Sequence, residues 1–117
     1  MRWNIKLAII GSRQITRIHI DPYIPAGVTE IVSGGAKGID TLAKDYAQRT
    51  GLPLREFLPQ YQRYGRAAPL KRNEEIAKYA DEAIAFWDGH SKGTDYTVRL
   101  FQKQQKKVTV FLIGEIT

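Results

Sequence analysis

The order of strand-like and helix-like segments predicts an α/β fold, a three-layer α/β/α sandwich with a central parallel sheet of about five strands. Short runs rich in valine and isoleucine alternate with segments whose apolar residues recur at helical spacing. This alternation favours parallel strands joined by right-handed crossovers, with helices on both faces of the sheet. Glycine-containing turns follow several of the runs, as expected where the strands of such a sheet end.

The first two strands are the best defined segments of the sequence. Residues 5–10 are apolar apart from one lysine and stop at Gly11, which predicts a buried parallel strand. Residues 29–32 predict the second strand. Between them, residues 14–24 have a weak helical pattern that two prolines interrupt, so we expect a short first helix with an irregular tail.

A glycine-rich turn at residues 33–40 leads into a helix that should end at Gly51, a typical residue for that position. Residues 53–58 predict a third strand at an edge of the sheet, because a proline can only open a strand. Residues 59–68 predict a polar and aromatic loop. The next helix should begin at Pro69, since proline suits the first helical position.

The last part of the chain repeats the same order of strand, turn and helix. Residues 83–87 predict a fourth strand, and residues 88–93 form a loop of turn residues. Thr94 should cap the last helix, and Lys106 should lie at its C-terminal end, where the helix dipole favours cations. Residues 108–113 predict the fifth strand.

Composition limits the class of protein. The chain has 117 residues, enough for one domain over residues 1–117, and a formal net charge of +6, which either attracts anions or keeps the protein soluble. There is no cysteine and there are two separated histidines, so we expect neither disulfides nor a metal site. We also expect a cytoplasmic protein without a membrane partner, since no apolar run could span a bilayer and no secretory leader is apparent.

Four segments should meet at the carboxyl edge of the sheet: residues 11–13, 33–38, 59–68 and 88–94. Glycine lets the backbone approach a phosphate, and a helix N-terminus supplies free N–H groups and positive potential. Two such turns at one edge predict a phosphate or ribose-phosphate site, although each could be a tight turn that binds nothing. The residues expected to contact a ligand are Gly11, Ser12, Arg13, Ser33, Gly34, Gly35, Lys37, Gly38, Asp40, Arg72, Asn73, Trp87, Asp88, Ser91, Gly93 and Thr94.

Several of these residues have a second interpretation. Asp40 can bind a ribose hydroxyl, or it can only complement the N-terminal end of its helix. Trp87 can stack on a base, or it can belong to the core. Arg13 can pair with an anion or remain solvated. Residues 61–66 interleave tyrosines with arginines, a composition that suits base stacking and phosphate contacts and equally suits a flexible lid.

Short motifs then point to a family. They are Gly11-Ser12-Arg13, Ser33-Gly34-Gly35-Ala36-Lys37-Gly38-Ile39-Asp40, Lys71-Arg72-Asn73, Ala80-Asp81, Phe86-Trp87-Asp88-Gly89 and Ser91-Lys92-Gly93-Thr94. In this order they make the sequence resemble the SLOG superfamily, which includes the Smf/DprA-like DNA-processing proteins and the Lonely Guy phosphoribohydrolases, with the YspA-like branch closest. The resemblance implies a Rossmann-like fold that binds nucleotides or nucleotide-derived ligands along the glycine turns. It also suggests a homodimer.

Two departures separate this sequence from the Lonely Guy hydrolases that it resembles. Those enzymes carry an Arg-Lys pair on the third helix and a glutamate three residues after a Gly-Thr. The arginine falls on Arg72, but the lysine position holds Asn73 and the glutamate position holds Thr97. Threonine cannot act as the base, so Asp95 is the remaining carboxylate candidate beside that position.

These observations favour a binding domain, a sensor or sequestering protein for a nucleotide or an ADP-ribose-like ligand, with no cofactor required. One alternative is an enzyme that cleaves a nucleotide N-glycosidic bond, with Arg72 and Asp95 as the catalytic candidates. Another is a single-stranded DNA-binding module of the DNA-processing kind, which the net charge and the lysines within residues 103–107 suggest.

Overall fold

Five parallel strands form a single sheet in the computed structural model, which describes residues 4–114. The strands are β1 (Ile5–Gly11), β2 (Val28–Ser33), β3 (Leu54–Glu56), β4 (Glu82–Trp87) and β5 (Val108–Leu112). The helices are α1 (Ile39–Thr50), the single turn α2 (Tyr61–Tyr64), α3 (Ala68–Tyr79) and α4 (Lys92–Lys103). The predicted Rossmann-like α/β architecture is therefore confirmed.

The strand order β3-β2-β1-β4-β5 determines where a ligand site can form. The chain steps from β1 outward to β2 and β3, returns across the sheet to β4, and then continues to β5. Strand order therefore reverses between β1 and β4, and the crossovers on the two sides leave a crevice at the carboxyl ends of these two strands. β3 is an edge strand, as its opening proline predicted.

Two hydrophobic clusters, one on each face of the sheet, hold the layers together. On one face, α1 packs through Ile39, Ala43 and Ala47 against isoleucines and leucine of the sheet. On the other face, α3 and α4 cover a cluster rich in alanine, including Ala77 of α3 and Ala85 of β4. Small side chains in both layers allow α3 to lie close to the sheet, which brings its N-terminal half up to the end of β1.

The predicted first helix is wrong. Residues 14–24 contain only a 3-10 turn, Asp21–Tyr23, with a proline in its first turn. Proline disfavours helical geometry in the residue before it, so a helix cannot run through this segment. The segment instead buries Ile15 and Ile20 on the α1 face, and the Tyr23 ring packs edge-on against Phe86 with ring centroids 5.3 Å apart.

Other boundaries differ in detail. Residues 59–68, expected as a loop, contain α2, a 3-10 turn (Gly65–Ala67) and the first residue of α3. α4 begins two residues before Thr94, which lies inside the first turn and does not cap it. Lys106 lies beyond the end of α4, and its ammonium donates to the Ala77 carbonyl at 2.5 Å and to the Ala80 carbonyl at 2.8 Å, so it caps α3.

None of the helices among residues 4–114 is long and apolar enough to cross a membrane.

Candidate functional site

A cleft of about 350 Å³ opens at the carboxyl end of β1, between the N-terminal half of α3 and the first turns of α1 and α4. Its position is the crevice where strand order reverses. Most of the residues expected to contact a ligand line this cleft. They are Gly11, Ser12, Arg13, Gly34, Asp40, Arg72, Asn73, Ser91, Gly93 and Thr94.

Arg72 is the central charged side chain of the cleft. It lies on the first turns of α3 with 6% of its surface exposed. One terminal N–H group donates to the Gly34 carbonyl, and Nε donates to Asn73 Oδ1 at 2.8 Å. Arg72 forms no ion pair with any carboxylate among residues 4–114, so its charge is buried without an anionic contact partner. Burial lowers the pKa of Arg72, and the nearby Asp40 charge acts in the opposite direction.

Asp40 is the one carboxylate among the described residues that line the cleft. It lies in the first turn of α1, and its Oδ2 accepts the Ala36 N–H at 3.0 Å. Burial raises the pKa of Asp40, while that N–H and the charges of Arg72 and Arg13 lower it. Arg13 is exposed at the rim. The cleft therefore holds two guanidinium groups against one carboxylate, an excess of positive charge that attracts anions.

The first turn of α4 forms another wall. Ser91 precedes the helix, but its hydroxyl does not cap it. That hydroxyl lies 2.8 Å from Ser12 Oγ and 3.0 Å from the Asp88 carboxylate. The first N–H groups of an α-helix have no carbonyl partner within the helix, and here the serine that could satisfy them faces elsewhere. Gly93 and Thr94 of this turn line the cleft.

Asp88 and Trp87 stabilise the turn between β4 and α4, and neither residue lines the cleft. Asp88 Oδ1 accepts the N–H groups of His90 and Ser91, both at 2.8 Å. These two bonds lower the pKa of Asp88 to about 2. The Trp87 indole N–H donates to the Ser91 carbonyl at 3.0 Å. Both side chains thus fix the backbone that presents the start of α4.

The glycines of the turn after β2 allow other parts of the protein to approach closely. A Cβ on Gly34 would lie 2.6 Å from the Arg72 guanidinium, so only glycine leaves room for this arginine. A Cβ on Gly38 would overlap the Arg13 carbonyl, and Gly38 has a φ of +72°, which favours glycine. Gly35 lies against the Leu58 side chain.

Four residues of the turn after β2 that we expected to contact a ligand do not line the cleft: Ser33, Gly35, Lys37 and Gly38.

The two catalytic candidates separate in the structure. Arg72 lines the cleft, whereas Asp95 does not, and the Asp95 carboxylate pairs with Arg99 Nε at 3.1 Å. Thr97, at the position of the family glutamate, does line the cleft, but its hydroxyl donates to the Gly93 carbonyl at 2.8 Å. Neither residue offers a free carboxylate to a bound ligand.

Sequence reasoning missed the apolar part of the lining, which includes Ile10, Pro69, Leu70 and Ile76. Ile10 and Ile76 belong to the hydrophobic cluster under α3 and α4, so they form the floor of the cleft. Pro69 and Leu70 follow the loop that was expected at this edge, and their nearness to it in the sequence was the signal available.

Comparison with known families shows which family the chain belongs to. A family model described as YAcAr, the YspA, cpYpsA-related SLOG family, matches residues 6–64, half of the chain. The chain belongs to the YAcAr family of SLOG domains. No curated protein and no solved structure matches it significantly. SLOG membership indicates a domain that binds or processes nucleotide-related molecules, with no ligand specified.

The YAcAr match covers one part of the cleft. The turns after β1 and β2, and Tyr61 of α2, lie within the matched residues. Arg72 and the start of α4 lie beyond the matched residues. The three-dimensional structure, and not the family match, therefore places them in the cleft. Within residues 4–114, no group of three or more His, Cys, Asp or Glu side chains could hold a metal ion.

Proposed function

We propose that this domain binds a nucleotide-derived ligand through a phosphate group held between Arg72 and the first turn of α4. The ligand's anion would accept hydrogen bonds from the Arg72 guanidinium and from the N–H groups of Gly93 and Thr94. Arg13, at the rim, would add a second positive charge. Nothing in this arrangement requires a metal or an organic cofactor.

The observation that carries this proposal is the buried charge of Arg72, which has no ion-pair partner among residues 4–114. A buried cation without an anionic partner is costly, and such groups are normally paired. Two N–H groups of Arg72 donate to Gly34 and Asn73, both neutral partners, and Arg72 also lines the cleft. A phosphate oxygen pair matches the fork of donors that a guanidinium offers.

The uncapped start of α4 supports the same conclusion independently. Phosphates bind at helix N-termini because free N–H groups and the helix dipole both favour negative charge. Ser12 and Asp88 draw the Ser91 hydroxyl away from the helix, which leaves the N–H groups of this turn for a ligand.

The test is a binding measurement with phosphate-bearing probes, namely AMP, ADP, ADP-ribose, NAD and ribose 5-phosphate. A probe present at about 100 times its dissociation constant should stabilise the fold by about 2.7 kcal/mol. Arg13→Gln should weaken binding of the same probe by roughly ten-fold, the effect of one charge-assisted hydrogen bond, while leaving the fold intact because Arg13 is exposed.

Arg17→Gln is the matched control, because Arg17 is also exposed and lies four residues further along the same segment but does not line the cleft. It should bind as the wild type does. Equal losses in the two variants would indicate a general charge effect, and absence of binding by all five probes would contradict the proposal.

Cleavage of a nucleotide N-glycosidic bond is a second candidate, which one observation favours. The half-buried carboxyl of Asp40 has a raised pKa and shares the cleft with Arg72, a combination found at acid–base sites. Release of free adenine from AMP, lost in Asp40→Asn and kept in Asp95→Asn, would support it. If the wild type released no adenine, cleavage would be contradicted and binding would be the one candidate function left.

A homodimer, an ADP-ribose-like ligand and a cytoplasmic location stay predictions. Binding of single-stranded DNA also stays a prediction, with less support from the lysines at residues 103–107, because Lys106 caps α3.

A further inference from the structure

Three large apolar side chains are exposed on the chain segment from the end of β3 to the first turn of α3. Leu58 is 60% exposed, Tyr61 is 57% exposed and Leu70 is 44% exposed. Burial of such side chains against a ligand would be favourable, so apolar side chains left exposed next to a cleft are candidates for contact with a ligand. We call Leu58, Tyr61 and Leu70 the apolar rim.

The apolar rim adjoins the cleft. Leu70 lines it, as do Arg72 and Ile76 of the same helix. The Leu58 side chain lies against Gly35, next to the Gly34 carbonyl that accepts the Arg72 hydrogen bond. Tyr61 begins α2, which packs against α3, the helix that carries Arg72 and Leu70. Leu70 thus links the apolar rim to the cleft that Arg72 lines.

The interior of the cleft offers no aromatic side chain among the described residues that line it, and Trp87 is engaged elsewhere. A nucleobase has flat π-faces that stack on aromatic side chains. We propose that the base of the bound nucleotide leaves the polar cleft and stacks on the apolar rim, with Tyr61 as the stacking platform. This inference rests on the proposed function and adds the position of the base.

The experiment compares AMP with ribose 5-phosphate, which has the sugar and phosphate but no base. Wild-type protein should bind AMP at least about five-fold more tightly, the contribution of one stacked base. Tyr61→Ala should remove this advantage and leave the affinity for ribose 5-phosphate unchanged. Tyr61→Phe should keep it, because the ring rather than the hydroxyl stacks.

Leu58→Ala should reduce AMP affinity by a smaller factor, with Leu112→Ala as the matched control. Leu112 is 70% exposed, but it lies on β5, away from the cleft lining. Equal wild-type affinities for AMP and ribose 5-phosphate would overturn the inference while leaving the phosphate site intact. So would a loss of both ligands in Tyr61→Ala. If the wild type bound neither probe, the proposed function would fail, and the position of the base with it.

Discussion

The turn after β2 and the turn after β4 both join a strand to a helix through glycine, yet they use glycine differently. In the first turn, Gly34 and Gly38 let other parts of the protein approach, namely the Arg72 guanidinium and the Arg13 carbonyl. After β4, the glycine at the cleft is Gly93, in the first turn of α4, and a Cβ there would meet no atom within 4 Å. The first turn is packed against protein, and the second leaves its space open at the cleft.

This difference changes which turn should hold an anion. The sequence 33–40 looks the stronger phosphate motif because it has three glycines and begins a helix. In the structure, the acidic side chain of Asp40 lies in the first turn of that helix and accepts the Ala36 N–H. α4 also has an acidic residue in its first turn, Asp95, but this carboxylate pairs with Arg99 outside the cleft. A motif and a binding surface are therefore distinct properties of a turn.

The largest expected effect is on the packed turn. Gly38→Ala would place a methyl group in contact with the Arg13 carbonyl and require a φ that alanine rarely adopts. We expect the free energy of unfolding to fall by about 3 kcal/mol or more. Chemical denaturation measures this directly.

The matched variant for that experiment is Gly93→Ala, in the open turn. It has space around it and lies in a helix, where alanine is favoured over glycine, so stability should be unchanged or rise by up to about 1 kcal/mol. Comparable losses in both variants would remove the distinction between the two turns.

A moderate effect is expected at the carboxylate that shapes the open turn. Asp88→Asn replaces an ionised acceptor of two N–H groups and the Ser91 hydroxyl, so we expect the free energy of unfolding at pH 7 to fall by about 1–2 kcal/mol. The wild-type pKa of about 2 lies below the usual 3.8. The stabilisation is therefore present above pH 3.8 and is lost as pH falls towards 2.

Denaturation of both proteins across pH 2 to 7 checks this dependence (the range follows from the pKa of about 2 for Asp88). The stability difference between wild type and Asp88→Asn should shrink on acidification. A difference that stayed constant would mean that the Asp88 charge does not hold the turn.

The smallest expected effect concerns the negative charge that Asp40 adds to the cleft. Asp40→Asn removes the single carboxylate of the described cleft lining and can keep the Ala36 hydrogen bond. We expect affinity for sulfate, used as a probe of fixed charge, to rise several-fold, roughly 1 kcal/mol. Because burial raises the pKa of Asp40, wild-type affinity should approach that of the variant as pH falls through that pKa.

Isothermal titration of sulfate into both proteins measures this effect. Weaker binding by Asp40→Asn would show that this carboxylate positions the cationic groups instead of opposing the anion.

Local sequence patterns were sufficient for the sheet but not for every connection. The runs that became β1, β2 and β4 are apolar because both of their faces are buried, so their pattern is direct. Residues 14–24 have no such pattern. Ile15 and Ile20 are buried there by contacts with distant strands, and prolines prevent the helix that their spacing suggested.

The candidate site shows the same limit. Gly34 and Gly93 could be selected from residue type and position at strand or helix ends, and Arg72 from its resemblance to the arginine of the Lonely Guy pair. That Gly34 makes room for Arg72, 38 residues away, depends on three-dimensional packing that no local pattern contains. Trp87 and Asp88 were selected for chemistry that suits a ligand, but their hydrogen bonds go to the turn itself.

The most direct test of the central claim is a titration of ribose 5-phosphate followed by amide NMR. If the anion lies at the start of α4, the largest shift changes should occur at the N–H groups of Gly93 and Thr94, with smaller ones at Gly35 and Gly38. The largest changes at Gly35 and Gly38, with none at Gly93 and Thr94, would contradict the account and return the phosphate to the packed turn.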